Sequence, residues 1–311
     1  MAHTYLTTAN VAVFNKTDLD ITVDDILNRA PLLQALAART CKSNVLYYTR
    51  KLTAPAVGFR AANDGVEGKV TTREKVTCTL GIVDASFAVD VAVAQSDERG
   101  WQHIMGEEAL DHLRQAMFEV EQQILNGTNN IATDAFDGFP DFTSMDATGD
   151  TMVIDAGGTV RFTGSSVYLV RSGPGDVEVL WGQEGQISIG DMQVIERAGS
   201  ATGAFPAYYH PITGWAGLKV GSNYSVARIC NITNETNCDL DDDLIAEALG
   251  EFPADRPPTH IVMNRRSLRQ LQQSRTATNA TGAPAPFPSE AFNIPIVVTD
   301  AILSTEDIVG A

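Results

Sequence analysis

The most regular pattern of apolar positions lies in residues 96–126, where apolar side chains recur every three or four residues. This spacing is typical of one face of an α-helix. The apolar face consists of Trp101, Ile104, Met105, Ala109, Leu113, Met117, Val120 and Ile124. The opposite face carries Glu108, Asp111, Glu119 and Gln122. With Ser96 as N-cap and Asn126-Gly127 as the end, the pattern predicts one long helix over residues 96–126.

A different pattern precedes this helix. Residues 45–48 are β-prone, and apolar and polar residues alternate over 76–82 and again over 87–93. Between these limbs, residues 60–75 contain only Val66 and Val70 as sizeable apolar side chains, and Asn63-Asp64-Gly65 is typical of a turn. A hairpin so poor in apolar side chains cannot build a core of its own. We expect either a floppy surface loop or an arm that becomes ordered on another chain.

The rest of the chain mixes both patterns. Residues 21–40 have helical spacing interrupted by Pro31, which predicts a kinked helix or two short helices. Apolar β-prone runs predict strands over residues 166–171, 177–181, 186–189, 192–196, 215–220 and 224–232. The last section predicts a helix over 241–250 capped by its aspartates, a strand over 259–263, a helix over 265–273 and a strand over 294–299. The mixture predicts an α+β protein.

Composition and charge narrow the class of protein. The chain has 311 residues, of which 44% are hydrophobic and 20% charged, and this excludes wholesale disorder. Its 22 basic and 39 acidic residues give a net charge of −17. Because binding to a nucleic-acid backbone needs clustered Lys and Arg, so acidic a chain does not have nucleic acid as its main partner.

Local motifs for catalysis or metal binding are missing from the sequence. The acidic run Asp239, Asp241 and Asp243 starts like a calcium loop, but Leu244 and Gly250 stand where that loop needs Gly and Glu. We therefore interpret it as a helix N-terminus. The pair Glu108 and His112 predicts a surface contact one helical turn apart. No nucleophile elbow, glycine-rich phosphate loop or His-Glu-x-x-His motif occurs. We expect no catalytic, cofactor-binding or metal-binding residues.

Signals for export are also missing. The first ten residues lack the cationic and apolar regions of a secretory leader, and no apolar run approaches the roughly 18 residues of a membrane span. The four cysteines are too sparse for a disulfide scaffold, so we expect reduced thiols. Six Asn-x-Ser/Thr sequons occur, at Asn15, Asn126, Asn223, Asn231, Asn234 and Asn279. Without a leader, we interpret them as accidents of composition.

The order of these features resembles one family, the major capsid proteins of tailed phages. Residues 259–268, THIVMNRRSL, are similar to the family's axial-domain strand and the Asn-x-Arg start of the following helix. Residues 292–301, FNIPIVVTDA, are similar to its strand that begins Gly-Ile-Pro-Val, with Asn293 where Gly is commoner. Residues 166–181 and 217–229 resemble its strand pair and its closing strands. The likeness spans most of the chain.

The resemblance implies the α+β fold named after the Hong Kong ninety-seven phage. That fold has an N-terminal arm, an extended hairpin called the E-loop, a peripheral domain with a long spine helix, and an axial domain. On this chain the parts would be residues 1–45, 46–95, 96–232 and 233–311, with the spine helix at 96–126. Here the β blocks precede the axial-type modules, an order that looks like a circular permutation of the usual one.

The resemblance also implies a function, that of a coat protein without catalytic activity. Copies would assemble into pentamers and hexamers of an icosahedral shell around double-stranded DNA, which the shell would enclose without sequence-specific binding. The implied partners are other copies, a portal, a separate scaffolding protein and decoration proteins, without a membrane. The protein would be made in the host cytoplasm and reside in the virion.

Five residues of the E-loop would contact a neighbouring subunit, by resemblance alone. They are Phe59, Arg60, Lys69, Arg73 and Lys75. Some family members form Lys–Asn cross-links from this loop, and Lys69 is the lysine in the matching place, although nothing around it in the sequence indicates activation.

Two other functions remain open at this point. One is a soluble α+β enzyme whose active site is assembled from residues distant in sequence, which saturable turnover by a monomer would favour. The other is a secreted glycoprotein, which the sequons suggest and which sugar on native material would favour.

Overall fold

The computed structural model describes residues 29–65, 68, 70–127, 135–142, 145, 148–198, 203–277 and 284–310. The α-helices in this part of the chain are α1 (Pro31–Ala35), α2 (Val91–Ala94), α3 (Trp101–Asn126), α4 (Asp242–Gly250) and α5 (Arg265–Ala277), and two short 3-10 helices lie at Phe139–Asp141 and Gln183–Gly185. The strands are β1 (Ala37–Thr40), β2 (Val45–Lys51), β3 (Arg73–Thr79), β4 (Gly81–Asp84), β5 (Phe87–Asp90), β6 (Val153–Asp155), β7 (Val167–Val170), β8 (Val177–Trp181), β9 (Ser188–Ile189), β10 (Gln193–Ala198), β11 (Ala204–His210), β12 (Ile212–Val220), β13 (Val226–Cys230), β14 (His260–Met263), β15 (Glu290–Ala291) and β16 (Ile294–Val298).

The strands form four sheets. The largest has the order β15-β16-β14-β7-β13-β6, and a second has the order β1-β8-β12-β4 with β9 also paired to β12. A three-stranded sheet has the order β10-β11-β5, and β2 pairs only with β3. None of the helices in the described ranges is long and apolar enough to cross a membrane.

The inner strands of the six-stranded sheet are buried on both faces, as strand β7 shows. Tyr168 and Val170 point into a core shared with α3 and the β8-β12 strands. Val167 and Leu169 point the other way, into a core shared with α4 and α5. Because successive side chains of a strand alternate between faces, a strand buried on both must be apolar throughout. The run VYLV fulfils this, which is why its strand was predictable.

Helix α3 is the spine of the molecule, with 26 residues and a length of about 39 Å. Its first half packs on the three-stranded sheet, where the Trp101 ring stacks on the Tyr208 ring at 5.1 Å. Its second half, with Val120 and Ile124, enters the core beside Tyr168. The helix thus connects two sheets, and the apolar stripe that predicted a long helix supplies its contacts to both.

The predicted start of this helix at Ser96 is wrong. Asp90 ends β5 and its carboxylate accepts the Ala92 N–H, which begins the short helix α2 where a continued strand was predicted. The spine then begins after Gly100, whose φ of +96° lies in a region of backbone conformation that favours glycine. The prediction failed because the Ser96 hydroxyl donates to the Val93 carbonyl at the end of α2 instead of capping α3, and the backbone freedom of Gly100 sets where α3 begins.

Residues 21–28 of the predicted helix over 21–40 lie outside the described ranges, and in the described part the prediction is largely wrong. Pro31 begins the five-residue helix α1, a position that suits its missing N–H, instead of kinking a longer one. Leu36 is extended, and β1 follows in parallel with β8, Ala37 opposite Glu178. Hydrogen bonds to a strand distant in sequence override the helical spacing here.

The later elements that the sequence predicted agree with the structure within a few residues, whereas strands β6, β11 and β15 were not predicted. Strand β11 contains Pro206, which in sequence argues against a strand. Strand β5 pairs only with Ala207–His210, so Pro206 has a single neighbouring strand, opposite Glu196 of β10. The missing N–H of Pro206 is tolerated because β11 is an edge at that point.

A buried carboxylate on α3 connects segments that are distant in sequence. Glu121 accepts the N–H groups of Leu32 at 2.8 Å and Leu33 at 3.3 Å, and the Thr299 hydroxyl donates to its other oxygen. It thereby connects α1 and the exit of β16 to α3. Burial raises the pKa of Glu121, and these hydrogen bonds oppose the rise.

The raised pKa predicts a pH dependence of stability. In the folded subunit Glu121 keeps its proton to higher pH than the ordinary 4.5, so the free energy of unfolding falls as pH rises from that value through the raised pKa. We expect the difference in unfolding free energy between the native chain and a Glu121→Gln variant to fall over this window in urea titrations. A difference that grows with pH would contradict the assignment. Glu119→Gln, on the exposed face, is the matched control and should show no such trend.

Candidate functional site

The predicted hairpin exists, and it extends from the body of the molecule. Strands β2 and β3 form an antiparallel ladder of seven residue pairs that runs from Val45 opposite Thr79 to Lys51 opposite Arg73. The segment of residues 52–72 joins the far ends of these strands. We call residues 45–79 the arm and residues 52–72 its tip.

The base of the arm is fixed to the body by directed hydrogen bonds. The Tyr48 hydroxyl donates to the Val220 carbonyl oxygen at 2.6 Å. Arg50 donates to the Asn223 side-chain oxygen at 2.6 Å and pairs with Glu74 at 2.9 Å. Burial raises the pKa of Tyr48 to about 12, so its hydroxyl keeps the donated proton at neutral pH. These contacts set the direction in which the arm leaves the body.

A small apolar cluster also packs at the base of the arm. It contains Cys41, Cys78, Leu80 and Leu180, with Leu46 and Tyr48 packed against it. Both thiols are free, and burial raises the pKa of Cys78 to about 11. A thiol that stays protonated at neutral pH is a poor nucleophile. We therefore assign these cysteines to packing.

The tip of the arm has no support from the rest of the described chain. Val57 is 89% exposed, Val70 is 84% exposed and Phe59 is fully exposed. Among the described residues of the tip, each hydrogen bond joins two residues of the tip itself, such as the Leu52 N–H to the Thr72 carbonyl at 3.0 Å. Apolar side chains in this state favour burial against another surface.

Four of the five predicted contact residues lie on this arm as expected, and Lys69 lies outside the described residues. Phe59 projects from the tip, and Arg60 donates to the Asp64 carbonyl at 3.1 Å. Lys75 has its ammonium group 4.0 Å from the centre of the Tyr47 ring. Arg73 lies directly opposite Lys51. The structure thus groups Arg73 and Lys75 on β3, while Phe59 and Arg60 lie together further out.

The arm is basic in an otherwise acidic chain. Residues 45–79 contain six Lys and Arg and three Asp and Glu, a charge of 6 − 3 = +3, which leaves −17 − 3 = −20 for all other residues. Lys51 and Arg73 form a cross-strand pair of like charge, and such pairs are destabilising. A surface of opposite charge would relieve this repulsion.

The other chemical candidates from the sequence have structural roles. Asp241 accepts the Leu244 N–H at 2.9 Å and so caps α4, as the sequence predicted. His112 lies 3.9 Å from Glu108 one helical turn away, as predicted, and both side chains are partly buried, with the His112 ring stacked on Phe87 at 4.9 Å. The described part of the chain contains no group of three or more His, Cys, Asp or Glu side chains suited to a metal ion.

Comparison with protein families gives one match of nearly full length. The family model described as "Major capsid protein GP7" matches residues 20–310. Comparison with the curated proteins gives no match.

Among solved structures, a chain of bacteriophage Epsilon15 is similar with a TM-score of 0.67 and 19% sequence identity, over 100% of this chain and 99% of that chain. The capsid of bacteriophage JBD30 aligns with a TM-score of 0.47 and 10% identity, over 92% of this chain and 97% of that chain. The Epsilon15 likeness confirms the α+β fold predicted from the sequence. The order of the blocks as a circular permutation stays a prediction.

The hydrogen bond at the base predicts how firmly the arm is held. Replacing Tyr48 by Phe removes the donor to Val220 and leaves that carbonyl unsatisfied, so we expect a loss of about 1 kcal/mol in unfolding free energy. Faster hydrogen exchange across β2 and β3 should accompany it. Tyr47→Phe, at a ring that is 57% exposed, is the matched control and should change neither quantity. Equal behaviour of the two variants would contradict the anchoring role of Tyr48.

Proposed function

Because this chain belongs to the family of the major capsid protein GP7 and is a coat protein, we propose that its copies build an icosahedral phage shell by laying the arm of each subunit across a neighbour. The proposal rests on one observation, the unsupported tip of the arm. Family membership supplies the coat function, and the tip supplies the way in which copies hold one another.

The tip supports contact between subunits because its own chain leaves it unstable. Two-stranded hairpins are marginal in water unless they pack on something else. Val57, Phe59 and Val70 offer apolar area to such a surface, and the unpaired strand edges of the arm offer backbone hydrogen-bonding groups. A neighbouring copy is always present in a shell, so it can supply the missing contacts at every position.

Charge supports the same arrangement. An arm of +3 meets, on any neighbour, a body whose charge is −20. Opposite charge guides the encounter of two surfaces and disfavours wrong pairings. Arg60, Arg73 and Lys75 would therefore face carboxylates of the neighbour. The attraction also offsets part of the repulsion that so acidic a chain creates when copies assemble.

The remaining parts of the proposal follow from the family. Residues 1–45 would form the N-terminal arm, 46–95 the E-loop, 96–232 the peripheral domain and 233–311 the axial domain. Subunits made in the host cytoplasm would form pentamers and hexamers together with portal, scaffolding and decoration proteins. The acidic wall would repel the enclosed DNA and so avoid a sticky lining. The family is one of structural proteins, and nothing in the described residues favours the enzyme alternative.

Replacing the tip tests this function. A variant in which Asn-Gly replaces residues 54–71 keeps the hydrogen-bonded pair Thr53 and Thr72 and joins them by a turn that suits a hairpin. Since the described residues of the tip make no hydrogen bond to the body, we expect the subunit to fold with an unchanged circular dichroism spectrum. We expect it to sediment as free subunits where the native chain forms megadalton shells.

A point variant narrows the test to one side chain. Phe59→Ala should raise the concentration needed for assembly, whereas Phe287→Ala, which removes another exposed ring outside the arm, should not.

Shells formed by the tip-replaced variant at native concentrations would show that the arm does not hold neighbours together.

A further inference from the structure

Two helices near the end of the chain carry stripes of opposite charge on their outer faces. Helices α4 and α5 bury Ile245, Ala248, Leu268 and Leu271 in one core. On the outer side of α4, Asp243 and Glu247 are exposed, and Glu251 at the C-cap is partly exposed. Residues four apart lie on one face of a helix, so these three carboxylates form a row. We call them the acidic stripe.

Helix α5 has the opposite charge. It contains four arginines and no acidic residue. Arg266 donates to three backbone carbonyls, those of Thr163, Ile232 and Ser304, and Arg275 makes a bidentate pair with Asp242 at 2.7 Å for both hydrogen bonds. Arg265 and Arg269, spaced by four, are left exposed. We call these two residues the basic stripe.

Neither stripe is satisfied by the described part of its own chain. None of the five side chains lies within 4.0 Å of an opposite charge there, although most other arginines of the described ranges have an acidic partner. Like charges spaced by four destabilise a helix. The stripes therefore cost stability in the isolated subunit.

One end of each stripe makes this cost larger, whereas Asp243, at the other end of the acidic stripe, lies in the first turn of α4, where the dipole favours an acid. Glu251 caps the C-terminus of α4, where the helix dipole favours cations. Arg265 is the first residue of α5, where the dipole favours anions. Asp241, at the N-cap of α4, follows the rule. Local conflicts of this kind are expected where residues serve a contact outside the subunit.

We propose that the basic stripe of one copy pairs with the acidic stripe of the next copy. Each copy carries both stripes on different helices, so the contact is head to tail, and a head-to-tail contact that closes on itself produces a ring. The inference rests on the proposed shell function, in which such rings are the pentamers and hexamers. It assigns to α4 and α5 the contact that holds a ring together, separate from the arm.

Charge reversal tests the pairing. Arg265→Glu with Arg269→Glu, or Asp243→Lys with Glu247→Lys and Glu251→Lys, should each raise the concentration needed for assembly at least about tenfold, because attraction becomes repulsion at every contact. All five substitutions in one chain should restore assembly. Lys42→Glu and Glu196→Lys, at charged residues outside both helices, are controls and should leave assembly unchanged. Thermal melting establishes that each variant folds.

A mixture of the two reversed chains gives a sharper readout. One chain then carries only acidic stripes and the other only basic ones, so rings with an even number of subunits can alternate, whereas a five-membered ring must contain a like-charged contact. We expect six-membered rings without pentamers, as counted by electron microscopy.

Several results would overturn the pairing while leaving the shell function intact. They are native assembly by folded chains with one reversed stripe, failure of the folded five-substitution chain to recover, or recovery only as closed dimers. Failure of the native chain itself to form shells or rings would instead refute the proposed function.

Discussion

An extended hairpin whose described tip residues form hydrogen bonds only with one another is a constraint that the rest of the molecule must accommodate. Val57, Phe59 and Val70 gain nothing from folding until another surface covers them. The body must therefore be stable without the arm, yet hold its base in one direction. The buried sheets supply the stability, and Tyr48 with Arg50 supplies the direction.

The body and the arm also differ in charge. The residues outside the arm carry −20, a charge that keeps free subunits apart and makes assembly depend on specific contacts. Among the described residues, most of the Lys and Arg side chains without an acidic partner lie on the arm and on α5, where they can meet acidic surfaces of other copies. Inside the body, Glu121 is held by three donors without a cation, so it connects α1, α3 and β16 and adds nothing to the outer surface.

Sequence patterns were sufficient where burial alone decides structure, as in α3, β7 and β8. They failed where a distant partner decides, as when β8 draws residues 37–40 into a parallel strand, or where backbone freedom decides, as at Gly100. The burial of Glu121 could not be predicted. Glu119 and Glu121 lie on the same helix, and the sequence alone does not distinguish the buried carboxylate from the exposed one. The poverty of the hairpin in apolar residues left a surface loop and an arm both open, and the family resemblance favoured the arm. The spacing of four residues within each charge stripe is visible in the sequence, but only the structure shows that the stripes lack partners of opposite charge among the described residues.

Hydrogen exchange of the arm tests the central claim most directly. If a neighbour completes the tip, the amides of residues 52–72 should exchange freely in dissociated subunits and at least about tenfold more slowly in assembled particles. Amides of β7, buried in the body, should exchange equally slowly in both states. Tip amides that exchange at the same rate in subunits and particles would contradict the account, because the tip would then gain no contact from assembly.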